Sequence, residues 1–421
     1  MLEYKNSELF WSGFSLQEIA REWQTPVYVY NRSVIENDIN RIKRIFNKTA
    51  DMTCYAVKAN SNIEIIKIAA QSGLGADIVS TGELFAALKA DIPHNNIIFA
   101  GTGKTDEELI FAIKSRIFSL NVESDEELKA VETFANTMLA KQPVMLRVNP
   151  SVDPESHPYI STGHFTHKFG IDISEIEELA KYCNLSHSLH FQGLHFHIGS
   201  QVTKLQAVEE SFKIIGQIVD RIENSGIRVP FVDIGGGLPV DYYSDYSRLL
   251  NVEMPDSIPE IHKLYENWAD AAVKYIDKEK HKILFEPGRA LVANGGILLT
   301  KILYRKRHQD KEFIITDAGM NDLIRPALYQ AFHGIVPLKD PGNKKIKADI
   351  AGPICETGDF FAHDILVPEC GRGDYLAILT TGAYGYSESS NYNLRLKPLE
   401  LLIENDSIRC IRERQKYEDI L

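Results

Sequence analysis

The sequence is poor in cysteine, and its few thiols show no paired spacing. The five cysteines among 421 residues are scattered at positions 54, 183, 355, 370 and 410, and no two of them form a CxxC pair. Zinc sites need closely spaced Cys or His ligands, and disulfide frameworks belong to oxidising compartments. The pattern therefore predicts no zinc site and a reducing, cytoplasmic environment.

Excess positive charge and long apolar runs are also missing. The 46 Lys and Arg stand against 58 Asp and Glu, and a formal charge of -12 opposes non-specific binding to nucleic acid or to an anionic membrane. No segment reaches the ~18 uninterrupted apolar residues of a membrane span. Residues 1–15 also lack the basic start of a signal peptide. We therefore expect no nucleic-acid and no membrane partner, and an anionic ligand must be held by a local site.

Short β-rich runs alternate with amphipathic helical stretches through the first 288 residues. The helical stretches, such as 62–73 and 81–92, repeat apolar residues at three- and four-residue spacing. Eight β/α repeats over about 235 residues predict a (β/α)8 barrel rather than an open doubly wound sheet. The eight β-rich runs are residues 52–60, 73–80, 95–101, 117–122, 143–149, 191–199, 229–237 and 282–288.

After Gly288 the pattern changes to alternating apolar residues and turn signals, as in residues 295–319. This alternation of apolar residues with turn signals predicts a mostly β domain. The sequence therefore predicts an α/β plus all-β protein. A barrel covers residues 26–288, and a C-terminal β-sandwich or β-barrel domain covers residues 289–421 and is completed by the N-terminal segment 1–25.

Unusual side chains fall at the carboxyl ends of the predicted barrel strands, where such barrels place their chemistry. Lys58 ends an apolar run, and taken alone it is indistinguishable from an exposed lysine at a strand end. Convergence with its counterparts on the other strands favours a site. Those counterparts are Asp77, Arg147, Asn149, His195, His197, Gly235, Gly236, Gly237, Glu286 and Arg289.

Three consecutive glycines follow the seventh predicted strand. Residues without side chains let backbone N–H groups approach an oxyanion, and the loops after strands seven and eight are a recurrent phosphate site. Taken alone, three glycines also form an ordinary flexible turn. Arg289 supplies positive charge nearby, and the rigid turn at Pro287 and Gly288 points Glu286 into the barrel rather than into solvent.

His195 and His197 lie on one face of a strand, but no acidic residue or third histidine follows at comparable spacing, so no metal site is predicted. A histidine here is commonly packed or hydrogen-bonded, and its flat ring also suits stacking on an aromatic cofactor. A lysine, phosphate-binding glycines, a carboxylate and a stacking ring are together what pyridoxal 5'-phosphate (PLP) requires. The lysine amine forms a Schiff base with the aldehyde, and the carboxylate keeps the pyridine nitrogen protonated.

Four motifs carry a family resemblance. YAVKAN (55–60), HFHIGSQ (195–201), DIGGG (233–237) and EPGR (286–289) resemble the barrel motifs of the fold-type III PLP-dependent decarboxylases. That family contains ornithine, arginine and diaminopimelate decarboxylases, with alanine racemase as a structural relative. Residues 317–333, 352–364 and 382–398, together with 157–171, resemble the diaminopimelate decarboxylases most. Thr357 and Thr381 stand where that group frequently has serine and alanine.

The resemblance implies roles for the matched positions. Lys58 bonds to the cofactor, His197 stacks on its ring, and Glu286 pairs with its nitrogen. Cys355 is the proton donor and joins Lys58 and His197 as a catalytic residue. The implied cofactor-binding residues are Lys58, His197, Ser200, Gly236, Gly237, Glu286, Gly288, Arg289 and Tyr384. The implied substrate-binding residues are Arg289, Arg325, Tyr329, Glu356 and Tyr384.

The implied reaction is the decarboxylation of meso-2,6-diaminopimelate to L-lysine and carbon dioxide, the last step of lysine biosynthesis. The resemblance also implies a homodimer with shared active sites. One alternative is a decarboxylase of arginine, ornithine or a carboxylated polyamine such as carboxynorspermidine; Arg325 argues against it, because a guanidinium repels a cationic side chain. The other alternative is a non-catalytic regulatory homologue, against which the presence of both Lys58 and Cys355 argues.

Overall fold

The computed structural model describes residues 2–150, 152, 168–254, 258, 260–340, 342 and 344–421. Residues 157–167 of the predicted motif 157–171 lie outside the described residues. The strands in chain order are β1 (Leu2–Lys5), β2 (Glu8–Trp11), β3 (Phe14–Ser15), β4 (Val27–Asn31), β5 (Met52–Ala56), β6 (Gly75–Ile78), β7 (Ile97–Phe99), β8 (Ser119–Val122), β9 (Gln142–Val148), β10 (Leu189–Phe196), β11 (Phe231–Asp233), β12 (Lys282–Phe285), β13 (Gly296–His308), β14 (Lys311–Thr316), β15 (Ile335–Pro337), β16 (Lys345–Ala351), β17 (Phe360–Pro368), β18 (Tyr375–Ile378), β19 (Leu399–Glu404) and β20 (Ser407–Arg412).

The α-helices lie mostly between the strands of the first 288 residues. They are α1 (Leu16–Trp23), α2 (Arg32–Phe46), α3 (Ile63–Gln71), α4 (Thr81–Lys89), α5 (Asp106–Ser115), α6 (Asp125–Thr137), α7 (Ile176–Leu185), α8 (Leu205–Asn224), α9 (Ser244–Leu250), α10 (Ile261–Tyr275), α11 (Arg289–Val292) and α12 (Arg325–Tyr329). Four successive helices, α3 to α6, each begin after a side chain that accepts a backbone N–H of the first turn. These caps are Asn62, Ser80, Thr105 and Ser124. Each such cap stabilises its helix by about 1 kcal/mol.

The chain divides into two compact units. The barrel unit is Asp38–Pro239 with Glu260–Leu291, and the sheet unit is Met1–Asn37 with Val240–Pro259 and Val292–Leu421. The domain boundaries suggested above, 26–288 for the barrel and 1–25 with 289–421 for the β domain, stay a prediction of the sequence, and the compact units divide the chain at other residues.

The barrel unit contains a closed ring of eight parallel strands, β5 to β12, in which each strand pairs with the next and β12 pairs with β5. All eight predicted strands and the predicted (β/α)8 barrel are confirmed. Side chains from four of the barrel strands form a buried apolar cluster, with Met52, Phe118 and Phe231 packed against it. The cluster residues are Cys54, Ile98, Met145 and Leu284. The cluster belongs to the packed interior that such barrels have, and their ligands bind at the strand ends.

The sheet unit is mostly β, as the alternating apolar residues and turn signals after Gly288 predicted. Its larger sheet has nine strands, with the path β17-β16-β14-β13-β4-β19-β20 and with β15 and β18 paired beside β13. A second sheet has the order β1-β2-β3. The N-terminal segment thus contributes strands to this unit, and β4 lies between β13 and β19. Within the described part of the chain, no helix is both long enough and apolar enough to span a membrane.

Candidate active site

Lys58 lies in a 3₁₀ turn, Val57–Ala59, that follows β5 at the carboxyl end of the barrel. Its Nζ is 2.8 Å from Oδ2 of Asp77, which is buried on β6, while the lysine side chain itself is 40% exposed. Burial of Asp77, together with the charge of Glu286, raises the pKa of this carboxyl to about 6 against the opposing effect of Lys58. The ion pair therefore anchors an amine that remains accessible to a ligand.

Glu286 follows β12 and belongs to a buried cluster of three titratable side chains. Its Oε2 lies 3.2 Å from Nε2 of His195, and ligand atoms of His195, Asp233 and Glu286 all lie within 4.8 Å of one another. Burial acts to raise the pKa of Glu286, but the opposing effects of His195, Asp233 and Lys58 hold it at about 2. Burial and the charge of Glu286 raise the pKa of Asp233 well above its ordinary value. Glu286 therefore keeps the negative charge of the pair, and Asp233 keeps the proton.

Oε1 of Glu286 is buried and has no N–H donor among the described residues, although the carboxylate is hydrogen-bonded to the protonated Asp233 and Oε2 faces His195. A carboxylate oxygen can accept more than one hydrogen bond. Oε1 therefore fits a ligand that brings a protonated nitrogen to this end of the barrel.

The glycine loop after β11 is tightly packed. The N–H of Gly236 donates to Nδ1 of His197 at 3.1 Å, so Nδ1 is an acceptor. Burial, with the charges of Lys58 and Arg147, holds the pKa of His197 well below its ordinary value. A Cβ on Gly236 would lie 2.3 Å from the backbone oxygen of Glu286. The loop accepts only glycine at this position, and the imidazole beside it is neutral.

Arg289 follows the loop that carries Glu286 and begins α11. Its Nη2 donates to Oγ of Ser200 at 2.8 Å, and only 6% of the residue is exposed. Gly288 brings this loop against β5, since a Cβ there would lie 3.0 Å from Cβ of Ala56. The barrel unit therefore places a fixed guanidinium, a hydroxyl and a glycine loop at the same strand ends as Lys58.

Gly236→Ala is expected to weaken PLP binding by at least about tenfold, or ~1.4 kcal/mol. The added methyl group would collide with backbone 2.3 Å away, so the loop must shift and its N–H groups move with it. Absorbance titration of the apoprotein with PLP measures the affinity. Gly82→Ala is the matched control, because the nearest atom to its added Cβ is 3.7 Å away. Equal PLP affinity in the two variants would contradict a role for this loop.

In the sheet unit, α12 presents the residues predicted to meet the substrate. The helix begins at Arg325 with Pro326 in its first turn, as the sequence predicted, and Tyr329 follows four residues later. Arg325 is 5% exposed and Tyr329 is half-buried. Residues four apart share a helix face. The two side chains are therefore placed to act together.

Cys355 and Glu356 occupy an exposed turn of the sheet unit. The N–H of Cys355 donates to Oδ1 of Asn393 at 2.9 Å, and the hydroxyl of Tyr392 donates to Oε2 of Glu356 at 3.1 Å. Asn393 has a φ of 55°. The turn that contains Cys355 and Glu356 is therefore held by Tyr392 and Asn393, through one bond to its backbone and one to a side chain.

The predicted site residues form two groups, one in each unit. The barrel unit contains Lys58, His197, Ser200, Gly236, Gly237, Glu286, Gly288 and Arg289, and the sheet unit contains Arg325, Tyr329, Cys355, Glu356 and Tyr384. Their individual roles stay predictions. Sequence reasoning gave no role to Asp233, Tyr242, His333 or Asn393. Asp233, His333 and Asn393 lie inside the family motifs 233–237, 317–333 and 382–398, but the residues that they contact are distant in the chain.

Asp322, three residues before Arg325, is a buried carboxyl group whose titration is expected to make the stability of the protein depend on pH. It is 1% exposed, and burial raises its pKa from 3.8 to about 7 although Gly319 donates a hydrogen bond to it. The folded state thus binds this proton more tightly, and stability falls as pH rises from about 3.8 to about 7. We expect Asp322→Asn to gain stability relative to the wild type between pH 4 and pH 8, measured by denaturant unfolding. The fully exposed Asp310→Asn is the control, and a pH-independent difference for Asp322→Asn would contradict the expectation.

Comparison with known proteins agrees with this fold and geometry. Residues 32–293 match the family model of the pyridoxal-dependent decarboxylase, pyridoxal binding domain. The (β/α)8 barrel, the lysine at the end of its first strand and this family match together define a PLP-dependent decarboxylase. The chain is 42% identical over 420 residues to the diaminopimelate decarboxylase of Aquifex aeolicus, covering 100% of this chain and 96% of that protein. The chain belongs to the diaminopimelate decarboxylase family.

Solved structures support the same assignment. The crystal structure of Helicobacter pylori diaminopimelate decarboxylase complexed with L-lysine has a TM-score of 0.88 at 40% identity, covering 96% of this chain and 97% of that one. The enzyme of M. jannaschii in co-complex with L-lysine has a TM-score of 0.91 at 35% identity, covering 99% and 96%. The similarity therefore extends through both units.

Proposed function

We propose that the protein catalyses the PLP-dependent decarboxylation of meso-2,6-diaminopimelate to L-lysine and carbon dioxide, the last step of lysine biosynthesis. The observation that carries the proposal is the buried, anionic Glu286 at the same strand ends as the accessible amine of Lys58. Such a pair is what PLP chemistry requires. Membership of the diaminopimelate decarboxylase family supports the choice of substrate.

The residues of the barrel unit fit the cofactor. Lys58 would bond to its aldehyde, the neutral ring of His197 would face its ring, and Oε1 of Glu286 would accept its pyridinium N–H. When bound, PLP accepts the electron pair released as carbon dioxide leaves. The residues that would hold the phosphate are those that the family resemblance implies, Ser200, Gly236, Gly237, Gly288, Arg289 and Tyr384.

The remaining roles concern protons. Glu286 keeps its charge at neutral pH, and so would retain a proton on the cofactor nitrogen. Cys355 donates its thiol proton to the carbon that has lost the carboxylate, and the thiolate recovers a proton from water. Lys58 would hold the cofactor in the resting enzyme and again once L-lysine has left.

Specificity depends on the second amino-acid centre of diaminopimelate. Arg325 and Tyr329 would bind the distal carboxylate, Glu356 the distal ammonium group, and Arg289 and Tyr384 would complete the substrate site. A guanidinium binds a carboxylate bidentately but repels the cationic end of arginine, ornithine or carboxynorspermidine. We therefore prefer diaminopimelate over these substrates, and an active decarboxylase over a regulatory homologue.

The proposed enzyme is a cytoplasmic homodimer whose subunits share each active site. All five cysteines are free thiols, which is ordinary in a reducing compartment. The proposed residues divide between the barrel unit and the exposed Cys355 and Glu356 of the sheet unit. A two-fold dimer would provide two equivalent composite sites.

Carbon dioxide release from single substrates tests the activity. PLP-loaded protein is offered meso-diaminopimelate, L,L-diaminopimelate, arginine or ornithine, and we expect release only from meso-diaminopimelate, with L-lysine formed in equal amount. The protein without PLP is the control. Release from arginine or ornithine would favour the other decarboxylases. No release from any substrate, with PLP bound, would favour a regulatory homologue.

A further inference from the structure

The guanidinium of Arg325 is held by a buried histidine from beyond its own helix. Nη1 of Arg325 lies 2.7 Å from Nε2 of His333, and Nδ1 of His333 lies 2.9 Å from the backbone oxygen of Leu379. His333 is 0% exposed. Gln330 ends α12 in the left-handed conformation, and the chain that follows brings His333 back to the first residue of the helix.

These two contacts fix the protonation of the imidazole. A backbone oxygen only accepts hydrogen bonds, so Nδ1 of His333 carries the hydrogen. Guanidinium nitrogens only donate, so Nε2 is the acceptor and carries none. A second proton on the ring would place two donors face to face beside a permanent cation. Arg325 and Leu379 together therefore hold His333 neutral.

An aromatic ring provides the second support. Cζ of Arg325 lies 4.9 Å from the centre of the Tyr242 ring. The Tyr242 and His333 rings also pack edge to face, with their centres 5.1 Å apart and their planes at 77°. Tyr242 is 6% exposed. The guanidinium thus contacts both the acceptor nitrogen of His333 and the ring of Tyr242.

The support is anchored in the sheet. Only Gly334 separates His333 from β15, and Leu379 directly follows β18. The strands β15 and β18 pair with each other. The N–H of Leu379 also donates to the backbone oxygen of Gly334 at 2.8 Å. The imidazole is thus positioned by paired strands, which define its location better than a loop would.

We infer that His333 and Tyr242 are positioning residues that orient Arg325 as a charged receptor for the distal carboxylate of the substrate. The inference rests on the proposed function. Bidentate recognition needs a guanidinium in a fixed plane. A hydrogen bond to a charged group is worth about 1.5–3 kcal/mol, so its loss corresponds to roughly 10- to 100-fold in affinity.

Two substitutions of His333 separate its two hydrogen bonds. In His333→Asn, the amide NH₂ takes the place of Nδ1 and keeps the bond to Leu379, but the side chain is too short to reach Arg325. In His333→Gln, the amide oxygen takes the place of Nε2 and keeps an acceptor for Arg325. We expect His333→Asn to raise the KM for meso-diaminopimelate by about tenfold or more, with kcat within about twofold and PLP absorption unchanged, and His333→Gln to stay near the wild type.

A double-mutant cycle shows whether His333 acts through Arg325. Arg325→Ala is expected to raise the KM at least as much as His333→Asn, and the double variant is expected to match Arg325→Ala alone. Tyr242→Leu, which removes the ring, should also raise KM, while Tyr242→Phe keeps the ring face and should not. The Tyr242 pair gives an independent result if a His333 variant unfolds in thermal melts.

The outcomes distinguish two failures. A raised KM in Arg325→Ala, with an unchanged KM in His333→Asn and in Tyr242→Leu, would overturn the positioning role alone. Equal effects of His333→Asn and His333→Gln, or additive effects in the double variant, would also overturn it. An unchanged KM in Arg325→Ala, while meso-diaminopimelate is still decarboxylated, would overturn the substrate role of Arg325 and the inference with it.

Discussion

Lys58→Ala is expected to remove the near-visible absorption of the PLP-loaded protein and the covalent adduct that borohydride traps. Only a primary amine at the cofactor aldehyde can form that adduct. We expect kcat/KM for decarboxylation to fall by roughly a thousandfold or more, the scale on which enzymes lose activity when a covalent nucleophile is removed. Mass spectrometry of the trapped, digested protein locates the modified residue.

Three other lysines serve as comparisons in this experiment. Lys67→Ala is the matched control, because the Lys67 side chain is 39% exposed, close to the 40% of Lys58, and is likewise paired with a carboxylate. Lys104 is buried and donates to two backbone oxygens and to Glu127, so its amine is fully engaged. An adduct on Lys104 or Lys168 would contradict the assignment of Lys58 and of the barrel site.

The barrel could be predicted from the sequence because its signal is local. Each strand is a short apolar run, and each intervening helix shows its own periodicity. The ends of the strands were less predictable. The run 229–237 predicted a long strand, but β11 covers only Phe231–Asp233, since Gly235 takes a φ of 63° that leaves the extended conformation. The run 52–60 likewise ends in a 3₁₀ turn at Val57.

The environment of the site residues could not be predicted in the same way. The motifs give Glu286 a position, but its charge depends on His195 and Asp233, which are 91 and 53 residues earlier in the chain. Tyr242 and His333 are likewise separated by 91 residues and meet only through the fold of the sheet unit. Periodicity carries no information on such pairs. A sequence therefore predicts which residues act more readily than what holds them.

The remaining large effect concerns the proposed sharing of active sites between subunits. Lys58 belongs to the barrel unit, whereas Cys355 belongs to the sheet unit. If each active site combines Lys58 of one subunit with Cys355 of its partner, Lys58→Ala and Cys355→Ala dimers are each nearly inactive, since both sites lack one component. A mixed dimer then contains one intact site and one site with both substitutions.

Co-expression or joint refolding of the two variants is therefore expected to restore activity. Random pairing makes about half of the dimers mixed, and each mixed dimer has one of two sites intact, so recovery approaches roughly a quarter of the wild-type activity. Native mass spectrometry measures the mixed fraction, and the Lys58→Ala, Cys355→Ala double variant mixed with Lys58→Ala provides an inactive control. Should Lys58 and Cys355 serve one site from the same chain, no mixed dimer contains an intact site. Activity that stays at the level of the single variants, in a sample with confirmed mixed dimers, would exclude the shared site.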